Sequence, residues 1–125
     1  MDWIFDDSRP IWPQIKEVLT RDILTGKYQK GSSFPTVRDL AEEAGVNRNT
    51  MQRALAAMEE EGLLINNRTA GKSVTTDEEL LISLRRQIGE DYSRKYLGQM
   101  REIGYDFSQT EEFLRELDRE DDENE

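Results

Sequence analysis

The sequence contains neither cysteine nor histidine. Without cysteine the chain has no disulfide, no zinc thiolate site and no thiol nucleophile. Without histidine it lacks the commonest general base and the commonest metal ligand of proteins. We therefore predict no catalytic residue, no metal site and no cofactor, and we expect a protein that is not an enzyme. A hydrolase using the paired carboxylates of Glu111 and Glu112 has little support, because adjacent residues of a helix do not face one site.

Long apolar segments are also missing. No stretch approaches the roughly 20 apolar residues that cross a bilayer, and Met1–Asp7 has no basic start followed by an apolar run, as a secretory leader would. Hydrophobic residues occupy 35% of the 125 positions, which suffices for one small core but not for a second. We expect a cytoplasmic protein that makes no membrane contact and relies on a partner for part of its burial.

The net charge of −10 is unevenly distributed. Residues 1–76 include ten basic and eleven acidic residues, whereas residues 77–125 include seven and sixteen. The acidity therefore lies almost wholly in the C-terminal part. The nearly neutral first part is compatible with a polyanionic partner, although strong nonspecific binding to one is disfavoured.

The N-terminal part begins with a predicted helix. Apolar residues recur at helical spacing from about Pro10 to Thr25, and Gly26 suits the end of the helix. Before it, Trp3–Phe5 is interpreted either as a short edge strand or as an extended arm.

Two further short helices follow, separated by a tight turn. Thr36, with Asp39 three residues later, is a predicted cap for a helix that ends at Gly45, a residue suited to a left-handed C-cap. Asn47 is a good N-cap for the next helix, which is predicted to end at Gly62. Two amphipathic helices joined by a glycine turn are typical of a helix-turn-helix.

A small β-hairpin is predicted after these helices. Leu63–Ile65 has the character of a strand, residues 66–71 of a turn, and Lys72–Thr75 of a returning strand. A hairpin in this place is typical of a wing. The predicted fold class is mainly α with a small β-hairpin, a winged helix-turn-helix followed by a C-terminal two-helix dimerisation appendage.

The appendage is predicted to contain one long and one short helix. The long helix begins after Asp77 and ends at Gly104, and the short helix is opened by Ser108 with Glu111 three residues later. Asp118–Glu125 is predicted to be a frayed acidic tail.

An apolar stripe runs along one side of the long helix. The rest of the same chain offers nothing large enough to cover this stripe. We expect a second copy to pack on the stripe, the alternative being that it packs back on the first helix. Tyr92 and Tyr96 either lie at that seam or line a small pocket between subunits. The predicted dimerisation residues are Leu81, Leu84, Ile88, Tyr92, Tyr96, Met100 and Ile103.

The second helix of the helix-turn-helix begins with side chains that suit DNA. Such a helix enters the major groove with its N-terminal turn. Arginine can bind guanine with two hydrogen bonds, asparagine or glutamine can bind adenine, and a threonine methyl can contact thymine. Basic residues in the preceding helix and in the hairpin suit phosphates or the minor groove. The candidates are Arg38, Asn47, Arg48, Asn49, Thr50, Gln52, Arg53, Arg68 and Lys72.

Four of these candidates, Asn47, Arg53, Arg68 and Lys72, also have a purely structural interpretation. Asn47 taken alone is more often only a helix cap. Arg53 alternatively pairs with a nearby glutamate, Glu59 or Glu60, or lies solvated on the helix. The alternative for the hairpin is that Arg68 and Lys72 only keep it soluble. The co-occurrence of these residues in one helix-turn-helix with a hairpin favours the DNA interpretation.

The N-terminal part resembles the GntR family of bacterial regulators over roughly residues 1–76. The runs that carry the resemblance are Phe34–Ala41, Gly45–Thr50, Ala54–Leu55 and Glu61–Leu63, and Ile11 and Gln14 fit the family's opening helix. The resemblance implies DNA contacts by Arg38, Arg48 and Thr50, with the wing glycine, Gly71, approaching the minor groove. Gln52 stands where several subfamilies have arginine, which implies a different operator.

The C-terminal part resembles the short YtrA-type subfamily in the segments Glu102–Tyr105 and Glu111–Leu114. That resemblance implies a tail that serves chiefly for dimerisation. The 49 residues after Thr76 are too few to enclose a usual ligand cavity within one subunit. The existence of a small-molecule effector stays open.

The resulting hypothesis is a sequence-specific transcription regulator, a repressor by family analogy. It would bind a pseudo-palindromic double-stranded operator as a homodimer, with half-sites about one helical turn apart. The predicted regions are a winged helix-turn-helix DNA-binding domain over 1–76, a helical dimerisation region over 77–118 and an acidic tail over 119–125. The alternative is a protein-interaction module whose helix-turn-helix no longer binds DNA and whose acidic tail acts as a mimic or adaptor.

Overall fold

The computed structural model describes residues 3–124. Its β-strands form one antiparallel two-stranded sheet, in which Ile65 is opposite Ser73. Helices make up most of the rest, so the predicted mainly helical fold class with a small hairpin is confirmed. In chain order the elements are α1 (Ile11–Leu24), α2 (Val37–Ala44), α3 (Arg48–Glu60), β1 (Leu64–Asn66), β2 (Lys72–Val74), α4 (Glu78–Glu102) and α5 (Phe107–Glu123).

The chain divides into two compact units within α4. The first unit extends to Ile82 and holds α1, α2, α3 and the hairpin, and the second begins at Ser83 and holds most of α4 and all of α5. Among residues 3–124, no helix combines the length and the apolar character needed to span a membrane.

The core of the first unit is built around α3, which packs against α1, α2 and β1. Burying each large aliphatic side chain stabilises the fold by about 1.5–3 kcal/mol relative to leaving it exposed. Apolar residues from every element of the unit before α4 contribute fully buried side chains, which are Ile15, Leu19, Leu40, Met51, Leu55, Met58, Leu63, Leu64 and Val74.

The segment before α1 is an extended arm and not a strand. Gln14, which is buried, holds this segment because its amide exchanges two hydrogen bonds with the backbone of Asp6, each 2.7 Å long. The indole Nε1 of Trp3 donates a 3.2 Å hydrogen bond to Glu43 Oε1. Of the two interpretations of Trp3–Phe5, the arm is therefore correct.

The hairpin is anchored on its outer side by the loop before α2. Phe34 N donates to Lys72 O at 2.8 Å, and Val74 N donates to Ser32 O at 3.0 Å. Ser33 and Ser73 form an isolated bridge between these segments. The base of the hairpin is therefore held on both edges of β2, whereas residues 67–71 extend beyond that support.

The last helix differs from its prediction at both ends. Its N-cap is Asp106 and not Ser108, because Asp106 accepts a 2.8 Å hydrogen bond from Gln109 N while Gln109 Oε1 accepts a 3.0 Å bond from Asp106 N. This reciprocal capping box satisfies the backbone donors of Asp106 and Gln109, so the helix already begins at Phe107, before Ser108. The predicted frayed tail is also wrong, since α5 continues through the acidic run to Glu123.

Candidate nucleic-acid interface

The turn between α2 and α3 is defined by its caps. Thr36 accepts a 3.1 Å hydrogen bond from Asp39 N at the start of α2. Gly45 ends that helix with φ of +69°, a left-handed conformation that costs residues with a Cβ about 1–2 kcal/mol. Val46 N then donates to Ala41 O at 3.1 Å, which closes the turn. These local interactions set the angle at which α3 leaves α2.

The helix α3 has one buried face and one exposed face. Met51, Leu55 and Met58 are fully buried, as 3.6-residue periodicity requires of a helix packed on a core. Arg48, Asn49 and other polar residues of the first two turns are exposed on the opposite side. The polar face is therefore open to a large ligand.

Three side chains of this face have no hydrogen bond, ion pair or ring contact with any other residue between 3 and 124. They are Arg48, Asn49 and Gln52. Thr50, between them, is half-buried. An arginine, an asparagine and a glutamine without internal partners keep their full hydrogen-bonding capacity for base edges or phosphates. We call Arg48, Asn49 and Gln52 the reading row.

Asn47 acts as the N-cap of α3. Its side-chain oxygen accepts a 2.7 Å hydrogen bond from Asn49 N. The interpretation of Asn47 as a helix cap is therefore correct for its side-chain oxygen. The side-chain amide group stays exposed beside the reading row and is available as a donor.

Arg53 is held by an aromatic ring and not by a glutamate. Its guanidinium carbon lies 4.8 Å from the centre of the Trp12 ring in α1, which is a cation–π contact. Pairing with Glu59 or Glu60 is not what the structure shows. Trp12 was missed by the sequence reasoning, because no spacing pattern links residues so distant in the chain.

Arg38 lies in the first turn of α2 and is largely exposed. Its Nε is 3.5 Å from Glu42 Oε1, one turn further along the helix. Such exposed pairs contribute only about 0.3–0.5 kcal/mol. The guanidinium can therefore leave Glu42 for a phosphate at little cost.

The two cations of the hairpin differ in their surroundings. Arg68 lies at the exposed tip, with a positive φ of 41°, and Gly71 closes the turn at φ of 80°. Lys72, in contrast, has a side chain only 17% exposed and forms an ion pair with Glu59 of α3. The structure therefore places Arg68 and Gly71 at the tip but does not bring Lys72 there. Glu59 is a second residue that the sequence reasoning did not assign to this region.

The predicted dimerisation stripe is unevenly exposed in the single chain. Leu81 and Met100 are buried, and Leu84, Ile88 and Tyr96 are half-buried. Tyr92 and Ile103 are 58% and 70% exposed. The helix α5 adds a further exposed apolar set, consisting of Phe107, Phe113, Leu114 and Leu117.

A glycine turn between two packed helices, a reading row on the first turns of the second helix, and a hairpin directly after it define a winged helix-turn-helix. Proteins with this motif use the second helix in the major groove of DNA.

Comparisons with known proteins place the chain more narrowly. The profile described as "Bacterial regulatory proteins, gntR family" matches residues 13–74. A GntR family transcriptional regulator from Listeria monocytogenes is 31% identical and superposes with a TM-score of 0.85 over 90% of this chain and 98% of its own. The chain belongs to the GntR family, and it is a transcription regulator and not an enzyme.

Two other solved structures are also similar to this chain. One extends over its C-terminal part, and the other was solved in complex with DNA. YtrA from Sulfolobus acidocaldarius, a GntR-family transcription factor, has 19% identity and a TM-score of 0.57 over 96% of this chain and 97% of its own, a likeness of fold. The DNA-binding domain of AraR, solved in complex with its operator ORR3, has 28% identity and a TM-score of 0.52 over 60% of this chain and 88% of its own.

Proposed function

We propose that the protein represses transcription by binding a pseudo-palindromic operator as a homodimer, with the reading row of each protomer in one major groove. The observation that supports this proposal is that the side chains of Arg48, Asn49 and Gln52, on the exposed start of α3, have no partner among residues 3–124. Burying three such polar groups against a protein partner would demand matched donors and acceptors, whereas the edges of bases supply them. The proposed compartment is the cytoplasm, where the DNA of bacteria lies.

The similar AraR domain supports a double-stranded operator as the ligand, because it was solved with one. We propose that the phosphate backbone or the minor groove of the DNA is contacted, on either side of the reading row, by Arg38, Arg68 and Gly71. The total number of basic contacts is small, so we expect a modest dependence of affinity on salt.

Dimerisation is proposed to use the stripe on α4 together with the exposed apolar set on α5. Tyr92, Ile103 and the four residues of the α5 set are large apolar side chains that stay exposed in the single chain. Exposed apolar surface beyond a few isolated residues marks interaction sites. A second copy is the partner that is always available, and two-fold symmetry then matches a pseudo-palindromic operator.

Selection of duplexes from a random-sequence pool by the full chain tests this function. We expect one preferred sequence with two related half-sites. Arg48→Ala should lower the affinity for it roughly tenfold to hundredfold, as expected for loss of a bidentate contact to guanine. Arg21→Ala, which removes an exposed arginine of α1 outside the helix-turn-helix, is the charge-matched control and should bind like the parent.

Failure to select any sequence, or equal binding by Arg48→Ala and the parent, would contradict the proposal and favour the protein-interaction module. Repression is tested separately with a reporter gene behind a promoter containing the selected sequence. Expression should fall with the parent and recover with Arg48→Ala. A rise in expression with the parent would contradict repression while leaving DNA binding intact.

A further inference from the structure

Lys72 is the first residue of β2 and stands opposite Asn66, at the point where the hairpin leaves its support. Its ammonium group does not project from the hairpin. It forms an ion pair with Glu59 Oε1, in the last turn of α3, and its side chain is only 17% exposed. The wing and α3 are thus joined by an ion pair as well as by the backbone.

The environment of this pair makes it costly to break. Glu59 Oε1 is shielded from solvent, and Lys72 is the cation that lies against it within residues 3–124. The side chains of Lys72 and Glu59 are 17% and 26% exposed, so the pair is largely but not fully shielded from solvent. Removing one member of such a pair leaves the other charge without its partner, which is more unfavourable than breaking a fully exposed pair. Lys72 is therefore poorly suited to leave Glu59 for a phosphate, in contrast to Arg38.

We propose that Lys72 is a positioning residue, whose ion pair with Glu59 sets the angle between the wing and α3 and thereby places Arg68 against the DNA. The inference deepens the proposed operator binding and rests on it. It assigns Lys72 a different role from the phosphate contact that the sequence suggests, and it makes Glu59 part of the DNA-binding apparatus although that residue is acidic.

The two roles of Lys72 predict opposite effects for Glu59→Gln. If Lys72 contacts a phosphate, loss of the Glu59 charge releases the lysine and removes a repulsion, so affinity for DNA rises. If the pair positions the wing, the same substitution loosens the wing and affinity falls. Lys16 and Glu61 supply a matched control, because they form an ion pair of the same type between α1 and the residue that caps the end of α3, without involving the hairpin.

The decisive experiment measures operator affinity over a range of salt concentrations for the full-length variants. Lys72→Met and Glu59→Gln should each weaken binding roughly fivefold, within the range for directly coupled residues, and the double variant should be no worse than either. The slope of log affinity against log salt should stay at the parent value. Lys16→Met and Glu61→Gln should bind like the parent. A slope reduced by about 0.9 per protomer in Lys72→Met, with tighter binding by Glu59→Gln, would overturn the inference.

A second measurement needs no DNA and separates this inference from the proposed function. In the free protein, the amides of Asn67 and Ala70 donate to Gly71 O and Asn67 O at 2.8 and 2.9 Å within the wing turn. Hydrogen exchange at these amides should be faster in Lys72→Met and Glu59→Gln than in the parent and in Lys16→Met. The combined substitution Glu59→Lys with Lys72→Glu should restore slow exchange. Equal exchange in all variants would overturn the inference even if the parent binds its operator.

Discussion

Asn47 combines two roles at one position of the helix-turn-helix. Its side-chain oxygen caps α3 through the 2.7 Å bond to Asn49 N, and its amide group lies beside the reading row. A cap of this kind stabilises a helix by about 1 kcal/mol relative to alanine. The partial positive charge at the helix N-terminus also attracts a phosphate or a carboxylate.

Substitution of Asn47 can separate the two roles. Asn47→Ala should lower the free energy of unfolding by about 1 kcal/mol, because a backbone donor of α3 loses its partner. Asn47→Asp retains the cap and should unfold like the parent in urea, yet it should bind operator DNA more weakly because it places a carboxylate beside the phosphates. Operator binding by Asn47→Asp that equals the parent's would show that this residue is a cap only.

Asp22 in α1 makes the stability depend on pH in a direction opposite to that of most carboxylates. Burial raises the pKa of Asp22 above its ordinary value. The ammonium of Lys27, 3.8 Å away, and the guanidinium of Arg21 lower this pKa, but by less than burial raises it. A folded-state pKa above the unfolded value means that this group favours folding at low pH and loses that contribution as pH rises through the folded pKa. Asp22→Asn should therefore unfold at the same or higher urea concentration than the parent at neutral pH, with the difference vanishing in acid.

Asp6 provides the control of opposite sign for this measurement. Hydrogen bonds from the hydroxyl and the backbone amide of Ser8, 2.6 and 2.9 Å long, lower the pKa of Asp6. The stabilisation that Asp6 contributes is present wherever the pH lies above the ordinary pKa of an aspartate, and it disappears as pH falls through the lowered folded pKa. Asp6→Asn should therefore destabilise the protein at neutral and mildly acidic pH but not in strong acid. A loss of stability in Asp22→Asn at neutral pH would contradict the sign argued for Asp22.

At the scale of elements, α2 and α3 are specified largely by residues at their ends. The caps at Thr36 and Asn47 and the glycine at position 45 act within four residues of themselves, and all three were predicted and are confirmed. The start of α5 was predicted wrongly because two capping patterns overlap there. The pattern of Asp106 with Gln109 begins earlier in the chain than that of Ser108 with Glu111, and it forms completely.

Two glycine substitutions distinguish a turn from a helix interior. Gly45→Ala should destabilise the first unit by about 1–2 kcal/mol, because the Cβ of alanine is strained in the left-handed conformation at φ +69°. Gly89→Ala, in the middle of α4, should stabilise that helix by about 0.8–1 kcal/mol, since its new Cβ meets no atom of residues 3–124 within 4 Å. Urea unfolding measures both changes. A stabilising Gly45→Ala would show that the turn rearranges without cost.

At the scale of the whole molecule, charge and apolar surface are separated along the chain. Residues 77–125 carry sixteen acidic and seven basic residues, whereas the first 76 are nearly neutral. The surface proposed for DNA is thus on the part with the weaker negative charge. The apolar residues proposed for the dimer are on the strongly acidic part, where repulsion disfavours unspecific association with nucleic acid.

Disruption of the proposed dimer should weaken operator binding without touching the reading row. Tyr92→Arg and Ile103→Arg alter exposed positions of the stripe, so they should leave the chain folded while halving its molar mass in solution. Affinity for an operator with two half-sites should fall by about 10²-fold or more, because the second contact is no longer intramolecular. Binding to a single half-site should be unchanged.

Ser93→Arg introduces the same charge at an exposed position of α4 outside the stripe and should keep the parent's mass and affinity. Light scattering coupled to gel filtration gives the mass. An unaltered mass in both stripe variants would contradict dimerisation through α4.

The family was indicated by the resemblance of the sequence to known regulators. Without that resemblance, the sequence by itself determined the helices of the first unit, the position of the hairpin and the helix that carries the reading row. These features depend on periodicity, caps and turns, which act between residues a few positions apart. The tertiary structure alone decided which polar side chains are free. Arg53 lies on Trp12 and Lys72 on Glu59 because folding brings distant segments together, and no local pattern encodes such contacts. The side chains of Arg48, Asn49 and Gln52 are left without partners within the described part of the chain for the same reason, since their availability depends on every segment that packs nearby.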